Sequence, residues 1–322
     1  SLAGYTAGGY LTLDRYRHDK DSSTGTFTMT QQADAPDGFK NSLKVDCTTA
    51  GTSGDYNAIQ TMLESQDTAH LAYGTSSAKA VTLSFWVKVS QTGTMQFNLL
   101  HYADAGVRQI SYLYTIDAAD TWEKKTVTFA GDTTRIGDDD NSKGLVLEWF
   151  LSSYGGRTGS AVLTSWGAYT NAARFEGATI SIGDSTSDTF QLAGVQLEVG
   201  SVATDFEHRS YGEELALCER YFQTYVAGEQ EWIYCEGTAV THKWWQVRYR
   251  NMRATPTFSA SSAYTGVTSG NVGGGDIVSL AANSQLNRAS IRVTVTSSSG
   301  TAHGIHHIDA WAGDSCYFDA EL

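Results

Sequence analysis

Between Val81 and Ser90 the chain reads VTLSFWVKVS, and every second residue is apolar, so Val81, Leu83, Phe85, Val87 and Val89 share one face of an extended backbone. A helix would scatter those five side chains around its axis. Only a strand gathers them on one buried face. Strand-like runs recur at Ser42–Cys47, Thr94–Tyr102, Trp122–Phe129, Leu145–Leu151, Ala178–Ile182 and Thr189–Val199, parted by turn-rich joins such as TAGTSGDY and GDDDNSKG. Composition fits short strands and tight turns: 32 glycines, 17 tyrosines and only 18% charged residues. No alternation of strands with helices calls for a parallel sheet. The expected fold class is all-β, a β-sandwich of jelly-roll type.

One stretch breaks the pattern. In AGVQLEVGSVATDFEHRSYGEELALCERYFQTY (Ala193–Tyr225), Val195, Leu197 and Val199 alternate as a strand does. Past Gly200, Ser210 followed by Glu213 forms a capping box, in which each side chain satisfies an amide that the helix leaves unpaired. Tyr211, Leu215, Cys218 and Phe222 then fall on one face of a helix of about three turns. This predicts a jelly roll over residues 1–208, a linking helix over 209–225 and a second, smaller β-sandwich domain over 226–322. The last part has strand candidates at Glu231–Cys235, Val240–Arg250, Ser290–Thr296 and Cys316–Leu322. In VTHKWWQVRYR, alternation sends Trp244 and Trp245 to opposite faces. A Gly/Ser/Thr-rich loop, Ser259–Asp276, reads as a surface loop.

Net charge is −13, and from Cys218 onward 7 Lys+Arg face 9 Asp+Glu, so the upstream part carries 15 against 26. With its acidity upstream and no basic stripe, the chain is not built to displace counterions from phosphate, and a nucleic-acid partner is not expected. No apolar run is long enough to span a bilayer, and the N-terminal residues lack the pattern of a secretion signal, so no membrane insertion is expected. The serine start fits a processed form or a piece of something longer. Cys47, Cys218, Cys235 and Cys316 are widely spread with no CxxC pair, which predicts buried free thiols, consistent with assembly in a reducing cytoplasm. No N-x-S/T site exists.

Three groups of residues are candidates for chemistry. Asp138, Asp139 and Asp140 in GDDDNSKG cluster carboxylates that suit a structural calcium, although Lys143 and Trp149 occupy the places of the glycine and glutamate of an EF-hand. No other cofactor is implied. His303, His307 and Asp309 share a face of an extended AHGIHHIDAW and form a second metal candidate. Trp149, Tyr154, Arg157 and Trp166, from LEWFLSSYGGRTGSAVLTSW, bring together aromatic rings and a guanidinium. Rings pack on the apolar face of a pyranose while charged groups fix its hydroxyls, so these four are the candidate ligand residues. No nucleophile elbow, Walker loop, HExxH or glycine fingerprint is present, and the chain is not expected to be an enzyme, although its 35 acidic residues leave many carboxylate pairs for glycoside cleavage.

The joint Ala193–Tyr225 closely resembles a signature of tail-fibre-like and other virion structural proteins of bacteriophages and prophages. GGYLTLDRYRH resembles that family's opening, NSLKVDCTTA its first core strand, and MRATPTFS with YFDAEL its C-terminal domain. Tyr16 stands where tryptophan is usual in the family, and Asp205 where proline is. The resemblance implies a carbohydrate-binding-module-like jelly roll closed by the VQLE strand, with the CERYF helix leading into a smaller β domain. It also implies a virion location after synthesis in the bacterial host cytoplasm, other virion proteins and a host cell-surface glycan as partners, and a homo-oligomer, a homotrimer being the natural form. The function expected is a tail-fibre or receptor-binding component that adheres to glycans without cleaving them. A purely architectural capsid, collar or fibre protein, or a polysaccharide depolymerase, are the alternatives.

Overall fold

The computed structural model describes residues 2–5, 9–10, 15–21, 24–52, 54–226, 231–239, 242–248, 250–260, 267–269, 277–282, 290–297, 303–308 and 315–320. The chain divides into two compact units, 1–208 and 209–321.

Strands of the first unit, numbered in chain order, are β1 (Leu2–Tyr5), β2 (Tyr16–Asp21), β3 (Thr26–Gln32), β4 (Ser42–Thr49), β5 (Tyr56–Glu64) and β6 (Val81–Val89). They continue with β7 (Gly93–His101), β8 (Arg108–Ile116), β9 (Glu123–Phe129), β10 (Lys143–Ser153), β11 (Gly167–Ala168) and β12 (Thr189–Val199). They form two six-stranded antiparallel sheets, ordered β1-β3-β4-β12-β6-β9 and β11-β8-β7-β10-β5-β2. The unit is a jelly-roll β-sandwich. A four-residue helix, α1 (Ser65–Thr68), follows β5.

Alternation decides what lies between the sheets. Val81, Leu83, Phe85, Val87 and Val89 all turn inward and are at most 1% exposed, and Met95, Phe97 and Leu99 of β7 meet them from the other sheet. Trp149 of β10 stands at the centre, edge-on to Phe85 (5.6 Å between centroids) and to Phe97 (5.1 Å). Each such aromatic pair contributes about 0.5–1.5 kcal/mol beyond burial. Tyr16, where the resembled family has tryptophan, packs half-buried against the same core.

Six strands of the first unit escaped the sequence reading: β1, β2, β3, β5, β8 and β11. In β5, YNAIQTMLE, the apolar residues do not alternate, because both faces are covered. The predicted strand Ala178–Ile182 is not one; those residues form no ladder, although Ile180 and Ile182 are buried and Ile182 N–H donates to the Leu151 carbonyl (2.8 Å).

In the second unit, α2 covers Tyr211–Cys218 and starts with the predicted capping box: Glu213 N–H donates to Ser210 Oγ and Ser210 N–H to the Glu213 carboxylate. The helix is shorter than predicted. It ends at Cys218, with Glu219 as its C-cap, and Phe222 opens a strand, β13 (Phe222–Val226), instead of completing an apolar helical face. The remaining strands are β14 (Glu231–Ala239), β15 (His242–Arg248), β16 (Thr257–Ala260), β17 (Val267–Ser269), β18 (Ile277–Ala282), β19 (Ser290–Ser297), β20 (His303–Ile308) and β21 (Ser315–Asp319). They pair as β13-β21-β16 and as β17-β20-β14-β15-β19-β18. The side chains of Trp244, Trp245, His303 and His307, all of Asp309, and most of the loop Ser259–Asp276 lie outside the described residues. Among the described residues no helix is long and apolar enough to cross a membrane.

Candidate functional site

The sequence places Trp149 on one face of β10 and Glu148 and Phe150 on the other, and the sandwich puts Trp149 inside. Trp149 is fully buried in the core and is not available to a ligand, which corrects its place among the candidate residues. The face of β10 that turns away from the core carries something else.

Register lines up one polar residue from each of five strands across that outer face: Ser111 (β8) opposite Asn98 (β7), Asn98 opposite Glu148 (β10), Glu148 opposite Gln60 (β5), and Gln60 opposite Arg17 (β2). The row is continuously hydrogen-bonded. Ser111 Oγ donates to Asn98 Oδ1 (2.8 Å), Asn98 Nδ2 to Glu148 Oε1 (2.9 Å), Gln60 Nε2 to Glu148 Oε2 (2.7 Å), and Arg17 Nη1 to Gln60 Oε1 (3.1 Å). Glu148 is 0% exposed, so its charge needs a partner, and Arg174 supplies it. Arg174 Nε donates to Glu148 Oε1 (3.1 Å), and its Nη2 donates to Glu148 Oε2 and to Asp19 Oδ2 (2.8 Å). Burial alone would lower the Arg174 pKa, but the adjoining Glu148 carboxylate, together with Tyr169 and Asp19, outweighs it and holds the guanidinium above the ordinary arginine value.

Arg174 belongs to a strap, Thr170–Gly177, that crosses the polar row and is fastened by it. Gln96 Nε2 donates to the Ala173 carbonyl (2.6 Å), Asn98 Nδ2 to the Arg174 carbonyl (2.9 Å), and Gly177 N–H to Gln96 Oε1 (3.1 Å). Half-buried aromatic rings flank the strap. On one side Tyr56 stacks on Phe150 (6.0 Å), with the Arg157 guanidinium 4.1 Å above the Tyr56 ring. On the other, Tyr102 and Tyr169 pack over Met62, Leu100 and Val146, and Tyr169 Oη donates to Asn171 Oδ1 (2.6 Å). Burial, then the neighbouring Tyr169, pushes the Tyr102 phenol up to about 12. Burial also raises Tyr169, opposed by Arg174 and Arg157, which places all four groups in one electrostatic neighbourhood.

Of the four sequence-predicted ligand residues, Arg157 alone reaches this patch. Tyr154 packs instead on Gly51 and Gly183, its amide donating to the Asp55 carbonyl (2.8 Å). Burial and then the Asp184 carboxylate raise its phenol well above the ordinary tyrosine value. Trp166 is half-buried in another cluster: its Nε1 donates to the Ala130 carbonyl (2.6 Å) and its ring meets Tyr73 and His101 edge-on (5.9 and 6.2 Å). There His101 Nδ1 lies 3.0 Å from the fully buried Asp132 carboxylate, which Arg108 also holds.

The acidic turn is occupied with backbone amides, of its own and of a neighbouring loop. Asp138 Oδ2 accepts from Asp104 N–H (2.8 Å), Asp140 Oδ1 from Ser142 N–H (2.9 Å), and Asp139 is exposed at φ +30°. Among the described residues no group of three or more His, Cys, Asp or Glu side chains stands together as a metal site, and Asp138, Asp139 and Asp140 do not converge on one point. Of the thiols, Cys47 is buried and Cys218 half-buried; burial pushes Cys47 up to about 11.

Sequence reasoning missed Tyr56, Tyr102, Tyr169, Arg17, Asp19 and Arg174. A signal was present: Gln60, Asn98 and Glu148 each interrupt an apolar strand at its middle, in NAIQTM, QFNLL and LVLEWF. Buried polar residues require partners, and partners arriving from a distant loop mark a built face.

No protein-family model and no curated protein sequence matches the chain. Solved structures with similarity include the enzymatically active domain of tailspike protein 4 of bacteriophage CBA120, at 11% identity over 57% of this chain and 19% of that one, with a TM-score of 0.33. They also include a family 11 carbohydrate-binding module of Clostridium thermocellum in complex with a β-1,3-1,4-mixed-linked tetrasaccharide, at 13% identity over 63% of this chain and 100% of the module, with a TM-score of 0.33. A xylan-binding domain of Paenibacillus barcinonensis matches at 11% identity over 62% of this chain and 94% of the domain, with a TM-score of 0.28. Scores this low leave fold and ligand to be judged on the chain's own residues.

Proposed function

We propose that the first unit binds a saccharide on the outer face of the β11-β8-β7-β10-β5-β2 sheet, and that the chain is a phage virion component, a tail-fibre or receptor-binding protein, which adheres to host surface glycans without cleaving them. The observation that carries the saccharide reading is the juxtaposition of half-buried Tyr56, Tyr102 and Tyr169 with a buried, fully hydrogen-bonded Arg174–Glu148–Asp19 network. Rings supply apolar platforms for sugar faces, and a pre-organised network holds those rings and the strap without further ordering on binding. The virion reading is supported by the likeness of the Ala193–Tyr225 joint to phage structural proteins. Display as a homo-oligomer, a trimer in this proposal, would raise weak single-site affinity by effective concentration.

The test is binding of labelled protein to candidate host cells and to a glycan array, with Tyr102→Ala and Tyr169→Ala variants and Trp166→Phe as a control outside the patch. Saturable binding lost in the two tyrosine variants and kept in the control is expected. Binding equal in all four proteins would sink the assignment to this face, and reducing ends released on incubation with the bound polysaccharide would show a depolymerase instead. The architectural reading is favoured by one feature, the apolar side chains of Tyr211 (82% exposed), Leu215 and Leu217 on α2. A chain that ignores every glycan and sediments as an oligomer dissociated by Leu215→Glu would establish that reading.

A further inference from the structure

Arg157 differs from most half-buried or buried cations of the first unit, Arg135 being another that no carboxylate holds. Arg174 is neutralised by Glu148 and Asp19, Arg17 by Asp19, Arg108 by Asp132, Lys88 by Asp34 and Lys125 by Glu123. No carboxylate among the described residues pairs with Arg157. Its Nε is buried without a hydrogen-bond partner, and Nη1 has only a 3.4 Å contact to the Gly156 carbonyl next to it in the chain. Yet the guanidinium is held, 4.1 Å over the Tyr56 ring, in a chain where 35 acidic residues outnumber 22 basic ones. Stacking on an aromatic face fixes the plane of the fork and leaves its edge free, the geometry in which arginine takes an oxyanion through two parallel hydrogen bonds. A partly desolvated cation without a counter-ion gains most from such a ligand.

We propose that Arg157 on Tyr56 is an oxyanion-reading subsite, and that the saccharide bound by the first unit is acidic, carrying a carboxylate, sulfate or phosphate on the sugar next to Tyr56. This rests on the saccharide reading above and names its ligand class. Flanking glycines suit the role: Gly155 at φ +145° and Gly156 at φ +73° let the chain turn just before Arg157, and a Cβ on either would meet nothing within 4 Å, so the turn that carries Arg157 is itself uncrowded.

Two measurements separate this inference from the reading beneath it. On an array pairing each acidic glycan with its carboxyl-reduced or desulfated form, wild type should bind the acidic member at least tenfold tighter. Arg157→Gln, checked for an unchanged melting temperature, should lose that preference, its affinity for each acidic member falling to that for the neutral counterpart. Arg157→Lys, which keeps the charge without the fork, should recover less than half of it. Equal binding of acidic and neutral members by wild type, or a preference retained in Arg157→Gln, would overturn the subsite and leave saccharide binding standing.

In parallel, the Arg157 Nε resonance of nitrogen-15-labelled protein is followed during titration with glucuronate, glucose 6-sulfate, inorganic phosphate and glucose. A saturable shift with an oxyanion and none with glucose supports the subsite even if the array shows no binding, an outcome that would defeat the saccharide reading alone. The oxyanion giving the tightest curve tells carboxylate from tetrahedral anion, and no shift with any of them overturns the proposal.

Discussion

Removing the guanidinium of Arg174 tests the polar row most directly. Arg174 is 4% exposed and Glu148 0%, so in Arg174→Met the carboxylate keeps its donors from Gln60 and Asn98 but loses the cation that offset its desolvation. Removing one partner of a buried pair costs about 3–5 kcal/mol. At roughly 2–4 °C per kcal/mol for a domain of this size, the first unit should melt about 6–20 °C lower. Glu148→Gln is milder, about 1–3 kcal/mol, because Arg174 Nη2 retains Asp19 at 2.8 Å while one of the two amide donors meets the new NH2 group. In the double variant Arg174→Met, Glu148→Gln no unpaired buried charge remains on these two residues, so its cost should fall short of the sum of the single costs by at least about 2 kcal/mol. Urea unfolding at pH 7 of the four proteins, read by tryptophan fluorescence, measures the cycle. A loss below about 1 kcal/mol in Arg174→Met, or strict additivity in the double variant, would refute the view that this pair is desolvated and coupled.

Three further outcomes follow from the same structure. His18 is fully buried and neutral, and burial lowers it from 6.5 to about 4, so its contribution is whole above pH 6.5 and lost as pH falls toward 4; at 1.36 kcal/mol per unit that is about 3 kcal/mol, and urea midpoints of His18→Gln should show a flatter decline between those pH values. Gly144→Ala should destabilise the first unit by more than about 2 kcal/mol, since a Cβ there would come 2.6 Å from Ser65 Cα, backbone that cannot step aside; an unchanged melting curve would contradict the close approach of β10 to α1. Trp149→Ala should cost about 3–5 kcal/mol by emptying the centre of the core, while glycan binding by the fraction still folded stays as in wild type, a split that calorimetry and the array read separately.

The fold class was legible because a period of two has one physical solution. Val81 to Val89 admit a single inward face, Ser210 and Glu213 can satisfy each other only at a helix start, and both local patterns survive in the structure. β5 was not legible: it alternates poorly because the outward Gln60 and Met62 are buried too, under a strap that arrives 110 residues later in the chain, as the Gln60–Glu148–Arg174 contacts show. Helix length also escaped, since Phe222 continues the apolar helical spacing but pairs with Asp319 in β13 and β21, a ladder that spacing cannot reveal.

For the candidate site the division is sharper. Residue type alone marked Arg157 and the aromatic richness around β10, but it could not tell Trp149 from Phe150, because a strand offers two faces and only the opposing sheet decides which is interior. Arg174, Asp19 and Glu148 lie at separations of 26 and 155 residues, and nothing local predicts that they meet. The chain by itself determined that it would be a sandwich with a capped helix after the closing strand. Tertiary structure alone decided where the functional face lies, since a buried charge selects its partner by distance in space and is indifferent to distance along the chain.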